Sequence, residues 1–443
     1  MQTAGLHVPV LNLPAVSHYA PQPSARQASG SKLAIVYLVH AFYPESYTGT
    51  EKFVLQAART MQQRGHRVKV IACSSRIPEQ PAENAAIASQ EYMYEGIPVL
   101  TYRSPSQEDP ASSSSFDGGD PRLSAFADEL LTREQPDLLH VAHAMYGAAF
   151  VQSARKLGIP YVMTLTDYWF ACPKSTLIRN DRQLCAGPEG GAACMTHCQI
   201  PYAGERLQAL MPLLQTAACV TAPSAFLAAY MKSVMPPLNV EVVPHGMRYE
   251  WIAPNRKTYQ AGDRITLVYG GSLGEHKGVH VLLAAMAMVP SRRLRLHVYG
   301  AGPPEYTESL RRAAYRDKRI SFRGTYTEAD TARIYQEADI AIVPSVWYEN
   351  YPLTLHEALA SRVPVIASNI GGMAEKITDG LNGFTFRVGD ARHLAARLKL
   401  LLRRPAMING LKARIDEMPL PSLDVEMNAY EAMYYAHARY NSG

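Results

Sequence analysis

The chain has 443 residues, of which 47% are hydrophobic and 19% charged, with six cysteines and a formal net charge of +5. That length exceeds one domain of roughly 100–200 residues and favours two or three, and the apolar share excludes a chain that is disordered overall. Sparse cysteines exclude a disulfide-stapled scaffold and fit a reducing compartment. The mild positive excess, without a long Lys/Arg run, suits anionic phosphates or an anionic membrane surface rather than nucleic acid.

Residues 1–31 are expected to be a flexible tail, because Pro9, Pro14, Pro21 and Pro23 interrupt them. No basic segment precedes an apolar core there, so no signal peptide is expected. The fold is predicted to start at Leu33–Val39, an apolar run suited to a strand buried on both faces. Further strands are predicted at Val68–Ala72, Leu138–Val141, Tyr161–Leu165, Cys219–Ala222 and Val240–Val243, with helices such as Thr50–Arg64 between them. Ser104–Pro121, with its four consecutive serines, reads as a polar loop, and residues 170–200 as an irregular Cys-rich insertion. Leu207–Met231 carries no charge, but Pro212, Pro223, Gln208 and Gln215 break it, so helix, strand and helix fit better than a span of about 20 continuous apolar residues. A cytoplasmic protein is expected. Reversible contact with the inner face of a membrane is expected through apolar surface at Leu207–Leu214.

A second series of predicted strands covers Ile265–Tyr269, Leu294–Tyr299, Ile320–Arg323, Ile340–Val343, Val363–Ala367 and Phe384–Arg387. Strands alternating with helices imply parallel sheets. The expectation is therefore an α/β protein of two doubly wound, Rossmann-like domains facing across a cleft, 32–248 and 249–424. Residues 425–443 follow as a helix that buries Met427, Tyr430, Met433, Tyr434 and Ala438. Ligands of such sheets bind beyond the carboxyl ends of the strands.

Chemistry concentrates in Pro344–Ala360, which runs from a strand end through a loop into a helix. Glu349 lies in the loop and Glu357 in the first turns of the helix, and the backbone N–H groups of Tyr351, Leu353 and Thr354 sit at the helix start. Free donors and the helix dipole favour an anion there, so two nearby carboxylates suggest one ligand carrying both phosphate and sugar hydroxyls. A helix with a surface Glu357 is the plainer reading. The stretch Tyr269–Gly278 adds Gly271, Ser272 and Lys277 after another strand: glycine lets backbone approach a ligand, and the ammonium suits a phosphate. Gly300-Ala-Gly302 lacks the third glycine of a dinucleotide fingerprint and is read as a decoy. His140 reads as a core histidine and His143, just beyond the strand, as the better candidate. Trp347, Tyr348 and Tyr351 suit either ligand stacking or loop packing.

Together with Ile370-Gly-Gly-Met-Ala-Glu375, Asp379–Phe384, Thr48-Gly49-Thr50-Glu51, Arg64-Gly-His66, Pro136–His140 and Val243-Pro-His-Gly246, these motifs resemble a retaining glycosyltransferase of family four with the GT-B fold, over roughly residues 32–440. The resemblance implies that Glu357 holds the ribose of a nucleotide-sugar donor and that Glu349 lies near the transferred sugar. Lys277 would bind the diphosphate, Gly49 would approach it from the first domain, and His143 would stand near the reacting sugar. Where the family usually has Arg or a shorter polar residue, this chain has Ser272, which leaves Lys277 and the helix N–H donors to do more. The implied acceptor is a saccharide or lipid-linked saccharide of a bacterial polysaccharide pathway. No Asp-x-Asp motif occurs, so catalysis without a cofactor or metal is expected, with no nucleophile identified. An inactive sugar-nucleotide-binding protein of the same fold is the alternative.

Cys172, Cys185, Cys194 and Cys198 crowd into the insertion. Four thiolates suit a closed structural zinc site, although the spacings are looser than paired Cys-x2-Cys; plain reduced thiols, or disulfide or redox chemistry, are the other readings. Cys73 and Cys219 read as core residues.

Overall fold

The computed structural model describes residues 8–20, 31–78, 86–105 and 120–439. Most of the expected polar loop, 106–119, and Tyr440 lie outside them. Val10–His245 together with the segment from Asp424 onward forms one compact unit, and Gly246–Leu423 forms another. They are called here the N-terminal and C-terminal units.

In the N-terminal unit nine strands are described: β1 (Ser17–His18), β2 (Ala34–Val39), β3 (Arg67–Cys73), β4 (Ser89–Tyr94), β5 (Ile97–Tyr102), β6 (Leu138–Val141), β7 (Tyr161–Thr164), β8 (Cys219–Ala222) and β9 (Glu241–Val242). They form one sheet in the order β1-β9-β8-β7-β6-β2-β3-β5-β4. All neighbours are parallel except β4 and β5. Strands β6, β7 and β8 are buried at every position, as strands covered on both faces require. The order reverses between β2 and β6, whose register sets Tyr37 opposite His140.

The C-terminal unit has six described strands: β10 (Ile265–Gly270), β11 (Leu294–Tyr299), β12 (Ile320–Gly324), β13 (Ile340–Val343), β14 (Val365–Ser368) and β15 (Gly383–Phe386). They lie in the order β12-β11-β10-β13-β14-β15, all parallel, reversing between β10 and β13. Its core joins Leu267, Val279, Leu282, Leu296, Ile342 and Leu398.

Three expectations need correction. The segment expected to be a tail contributes β1, whose Ser17 and His18 pair with Glu241 and Val242 and cover the open edge of β9. The sheet also ends in an antiparallel hairpin, β4–β5, that alternation of strands and helices does not foretell. Its turn, Glu95-Gly96, holds both residues at positive φ, the geometry of a tight hairpin. Finally, the helix Ala203–Gln215 buries Leu210, Leu213 and Leu214 and half-buries Leu207 and Met211, so Leu207–Leu214 does not offer the apolar surface expected for membrane contact. Among the described residues no helix is long and apolar enough to cross a membrane.

The last helix, Leu423–His437, packs into the N-terminal unit through Met427, Tyr430, Met433 and Tyr434. Several motif residues serve this joint rather than a ligand. His66 accepts Leu33 N–H through Nδ1 (3.1 Å) and meets Glu431 Oε1 through Nε2 (3.0 Å), and Arg64 Nη1 donates to Glu431 Oε2 (2.6 Å). Likewise His245 Nδ1 lies 2.6 Å from Glu426 Oε1.

Candidate active site

Each unit gathers its chemistry where the strand order reverses, the position at which open α/β sheets bind ligands. In the C-terminal unit, the loop after β10 and the loop after β13 are locked together by backbone. Gly278 has φ +71°, and a Cβ there would stand 1.9 Å from the Pro344 carbonyl oxygen, while Val346 N–H donates to His276 O (2.8 Å). This approach brings Lys277 Nζ to 2.8 Å from Glu349 Oε1, which also accepts from Ser345 Oγ (2.7 Å). Burial raises the pKa of the Glu349 carboxyl, but the charge and hydrogen bond of Lys277 and the Ser345 hydroxyl outweigh it, so the net shift is downward and the group stays ionised. The Lys277 ammonium also lies 5.0 Å from the Trp347 ring centre.

Behind Glu349 stands the Ile370-Gly-Gly motif. Gly372 N–H donates to Glu349 O (2.7 Å), and a Cβ at Gly372 would stand 1.9 Å from Asn350 O. The glycine pair thus lets a second backbone touch the loop that carries Glu349. The Gly300-Ala-Gly302 pattern has a similar use: a Cβ at either glycine would strike the carbonyl of Gly271 or Leu273. It shapes the loop of Gly271 and Ser272.

The helix Leu353–Ala360 starts with Leu353 and Thr354. Glu357 is half-buried on it, and its Oε2 accepts from Tyr335 Oη at 3.4 Å, while Tyr335 Oη also donates to Thr354 O (2.9 Å). Tyr351 is stacked on His356, with ring centres 3.7 Å apart, and Tyr348 is buried. Of the aromatic residues flanking Glu349, then, Tyr348 and Tyr351 pack the loop. Ser272 is exposed, and its carbonyl accepts the Tyr269 hydroxyl (2.7 Å).

In the N-terminal unit, adjacent strands β2, β6 and β7 end just before His40, His143 and Asp167. His143 Nε2 lies 3.2 Å from Asp167 Oδ2, and its Nδ1 accepts Met145 N–H (3.2 Å). A nitrogen that accepts a backbone N–H carries no proton, so the Nε2 proton points to Asp167. Burial pushes the Asp167 carboxyl up, but His143 and Trp169 N–H hold it below its ordinary range, and 29% of the side chain remains exposed. His40 lies beside His143, with ring centres 4.3 Å apart and planes tilted by 50°, and is 3.4 Å from the buried Glu51. Burial, then the neighbouring His143, pulls the His40 pKa down to about 3, so the ring is neutral.

Gly49 is the first residue of the helix Gly49–Gln63, whose start is capped by Thr48 and Glu51. A Cβ at Gly49 would meet nothing within 4 Å. No packing demand explains this glycine. His140 is a satisfied core residue, bonded to Tyr434 Oη (2.6 Å) and Thr164 Oγ1 (2.8 Å).

Lys277 with Glu349, and Tyr335 with Glu357, are joined within one unit; His143 and Gly49 belong to the other. Sequence reasoning did not single out His40, Glu51 or Asp167 as site residues. The signal that finds Asp167 is a carboxylate just beyond the strand neighbouring the one that ends before His143. Cys73 and Cys219 are buried in strands. The four cysteines of the insertion are free and line one small cavity.

Two domain descriptions match the chain: a glycosyl transferase 4-like domain over residues 48–246 and glycosyl transferases group 1 over 264–404. Among curated proteins, the lipopolysaccharide 1,2-N-acetylglucosaminetransferase of Salmonella typhimurium is 27% identical over 37% of this chain and 48% of its own length. The D-inositol 3-phosphate glycosyltransferase of an Arthrobacter species is 26% identical over 63% and 66%. The chain thus spans about half to two thirds of the length of these relatives. Among solved structures, sucrose-phosphate synthase of Thermosynechococcus elongatus superposes with a TM-score of 0.67 at 19% identity, covering 91% of this chain and 99% of that one. HepE of Anabaena, solved in complex with UDP and glucose, gives 0.64 at 16% identity, covering 90% and 99%. These likenesses establish the α/β architecture of two parallel-sheet domains seen in GT-B proteins.

Proposed function

The chain belongs to the glycosyltransferases built from a group 4-like and a group 1 domain, and from that premise we propose that it moves a sugar from a nucleotide-sugar donor to a saccharide or lipid-linked acceptor. The transfer retains configuration and serves the building of a bacterial surface or exported polysaccharide. The lipopolysaccharide activity named for the Salmonella relative and the UDP bound by HepE support this reading. The observation that carries it is the Lys277–Glu349 pair at the reversal between β10 and β13, beside the start of the helix Leu353–Ala360.

Breaking the bond between sugar and diphosphate builds negative charge on the leaving group, so fixed cations and N–H donors stabilise the transition state most. Lys277 supplies the cation and the first-turn N–H groups of Leu353 and Thr354 the donors. Glu349 holds Lys277 in place and balances its charge before donor arrives, so the ammonium is shared rather than idle. Glu357 holds the ribose hydroxyls. In the N-terminal unit, which takes the acceptor, Asp167 presents its carboxylate and His143 orients it, while Gly49 leaves room for donor phosphate.

No Asp-x-Asp pair is present to hold a metal on the diphosphate, and initial transfer rates are therefore expected to survive EDTA. The proposed setting of this reaction is the cytoplasm. Reversible contact with an anionic membrane face rests on the +5 charge and the lipid-linked acceptor. The test is a thermal-shift screen of UDP-, GDP-, ADP-, dTDP- and CMP-sugars, followed by transfer assays with a lipid-linked acceptor pool, because a ligand of the folded state raises apparent stability. Binding of one donor with turnover that requires acceptor supports the proposal. Binding with neither transfer nor hydrolysis would turn it into the inactive binding protein.

A further inference from the structure

The insertion between β7 and the helix Ala203–Gln215 carries little regular structure: one antiparallel bridge, Ile178 with Leu184, a turn at Glu189–Gly191 and the short helix Ala192–Cys198. Tyr168, Trp169 and Phe170 bury its start, but beyond them few large apolar residues, chiefly Leu177 and Leu184, anchor it in the interior. Its cysteines are placed as though they shared one task. Cys172 closes a turn through its N–H to Tyr168 O (2.7 Å), Cys185 leaves the bridged loop with its N–H on Leu177 O (2.8 Å), and Cys194 and Cys198 stand four residues apart on one helix face. All four line a single cavity of about 10 Å³, together with apolar neighbours such as Leu177 and Ile200. That is room for one small ion or water and too little for an iron–sulfur cluster.

We propose that Cys172, Cys185, Cys194 and Cys198 bind one zinc ion as a closed tetrathiolate site that fixes the insertion beside Trp169. One further observation bears on the charge that such a site would carry. The guanidinium of Arg206, 2% exposed, donates to the carbonyls of Phe170 (3.1 Å) and Trp169 and lies 4.5 Å from the Trp169 ring centre, so a buried cation stands against the segment that carries Cys172. Zinc with four thiolates carries two net negative charges, which a buried cation offsets. Zn–S bonds of about 2.3 Å in a tetrahedron set the sulfurs roughly 3.8 Å apart. Among the described residues no three His, Cys, Asp or Glu side chains already stand at such spacing, so binding requires the thiols to turn inward on the cavity they line. Four thiolate ligands leave no open position, which makes the site structural. Trp169 lies 5.4 Å, ring centre to ring centre, from His143, so the same anchor steadies the His143–Asp167 segment. The proposal does not depend on the transferase reading.

Elemental analysis of the full chain purified under reducing conditions tests it, with cobalt exchange as a second readout. The expected result is about one zinc per chain, and a Co2+ form with the strong charge-transfer absorption of tetrahedral thiolate. Metal content is expected to fall below about a tenth per chain in Cys194→Ser and Cys198→Ser and to stay unchanged in Cys73→Ser. Should the first two variants fail to fold, chelation of the wild-type chain takes their place, with loss of hydrogen-exchange protection confined to 170–200. Absence of zinc together with no uptake of added Zn2+ or Co2+ by the reduced protein overturns the proposal. So does mass spectrometry showing disulfides among the four, or full metal retention in either serine variant.

Discussion

The two units solve one topological problem with opposite electrostatics. At the β10–β13 reversal the C-terminal unit holds an ionised pair, Lys277 with Glu349, braced by backbone contacts of Gly278 and Gly372. At the β2–β6 reversal the N-terminal unit holds a neutral, half-buried His40 beside the His143–Asp167 couple, and the Asp167 carboxylate keeps partial access to solvent. The sheet decides where loops converge, and the first residues after each strand decide the chemistry. A charged pair suits a diphosphate; a hydrogen-bonded carboxylate suits a hydroxyl.

The sharpest test of that division is Glu349→Gln. Turnover should fall on the order of 10²–10³-fold, the usual loss on removing one transition-state electrostatic partner, while nucleoside diphosphate affinity holds or tightens because Lys277 is released to phosphate. Glu357→Ala should do the reverse, weakening nucleotide affinity roughly 10-fold with a smaller change in turnover. Calorimetry with the nucleotide beside steady-state rates separates them; equal affinity losses in both variants would sink the assignment. Gly372→Ala comes next, because its Cβ would meet the Asn350 backbone carbonyl, and roughly 3 kcal/mol or more of stability should be lost in denaturant titration.

In the N-terminal unit, His143→Ala and Asp167→Asn should each lower turnover about 10²-fold with nucleotide affinity unchanged. The double variant should be hardly worse than either, since the two side chains act as one couple. Additive losses would break the couple apart.

Acid should separate the units less sharply. Burial pulls the His40 pKa, helped by the neighbouring His143, and the His140 pKa down to about 3, far below the ordinary 6.5. Between those values the unfolded chain binds protons that the folded one does not, so stability drops as pH falls below 6.5, by about 1.4 kcal/mol per pH unit for each histidine. In the C-terminal unit His276 is also lowered by burial, and Glu349 adds a loss only below the ordinary carboxylate range, near 4.5. Hydrogen exchange at pH 7 and pH 5.5 should therefore show protection falling faster in β2 and β6 than in β10 and β13. Equal losses would remove the electrostatic contrast. The smallest effect belongs to Gly49→Ala: a stability change under about 0.5 kcal/mol, since its Cβ meets open space, but slower transfer if the space is for donor.

The strands were legible because parallel strands buried on both faces are written as short apolar runs. Leu294–Tyr299, Ile340–Val343 and Cys219–Ala222 coincide with their predicted bounds. β1 was not legible: two polar residues between prolines gain their conformation from the β9 edge they pair with. At the site, spacing pointed to Glu349, Glu357 and Lys277, yet their ion pairing depends on a loop approach that only Gly278 and Pro344 in contact reveal. Asp167 and His40 were missed because their meaning lies in strand order, which neighbouring residues do not encode. His66 and His245 show the converse: motif histidines whose partners, Glu431 and Glu426, lie more than 180 residues away.

That return of the chain has a consequence for how the protein is made. Tyr434 supplies the hydroxyl that meets both His140 and Tyr37, and Tyr430 completes the Thr164–Thr221 hydroxyl cluster. On a ribosome most of the N-terminal unit precedes the C-terminal unit, yet those core partners are translated only after the whole of Gly246–Leu423. The unit whose sheet starts folding first therefore waits for the other to be translated before it can finish, and a nascent chain stalled anywhere before Leu423 would present a sheet whose buried histidine and tyrosine still lack their partners.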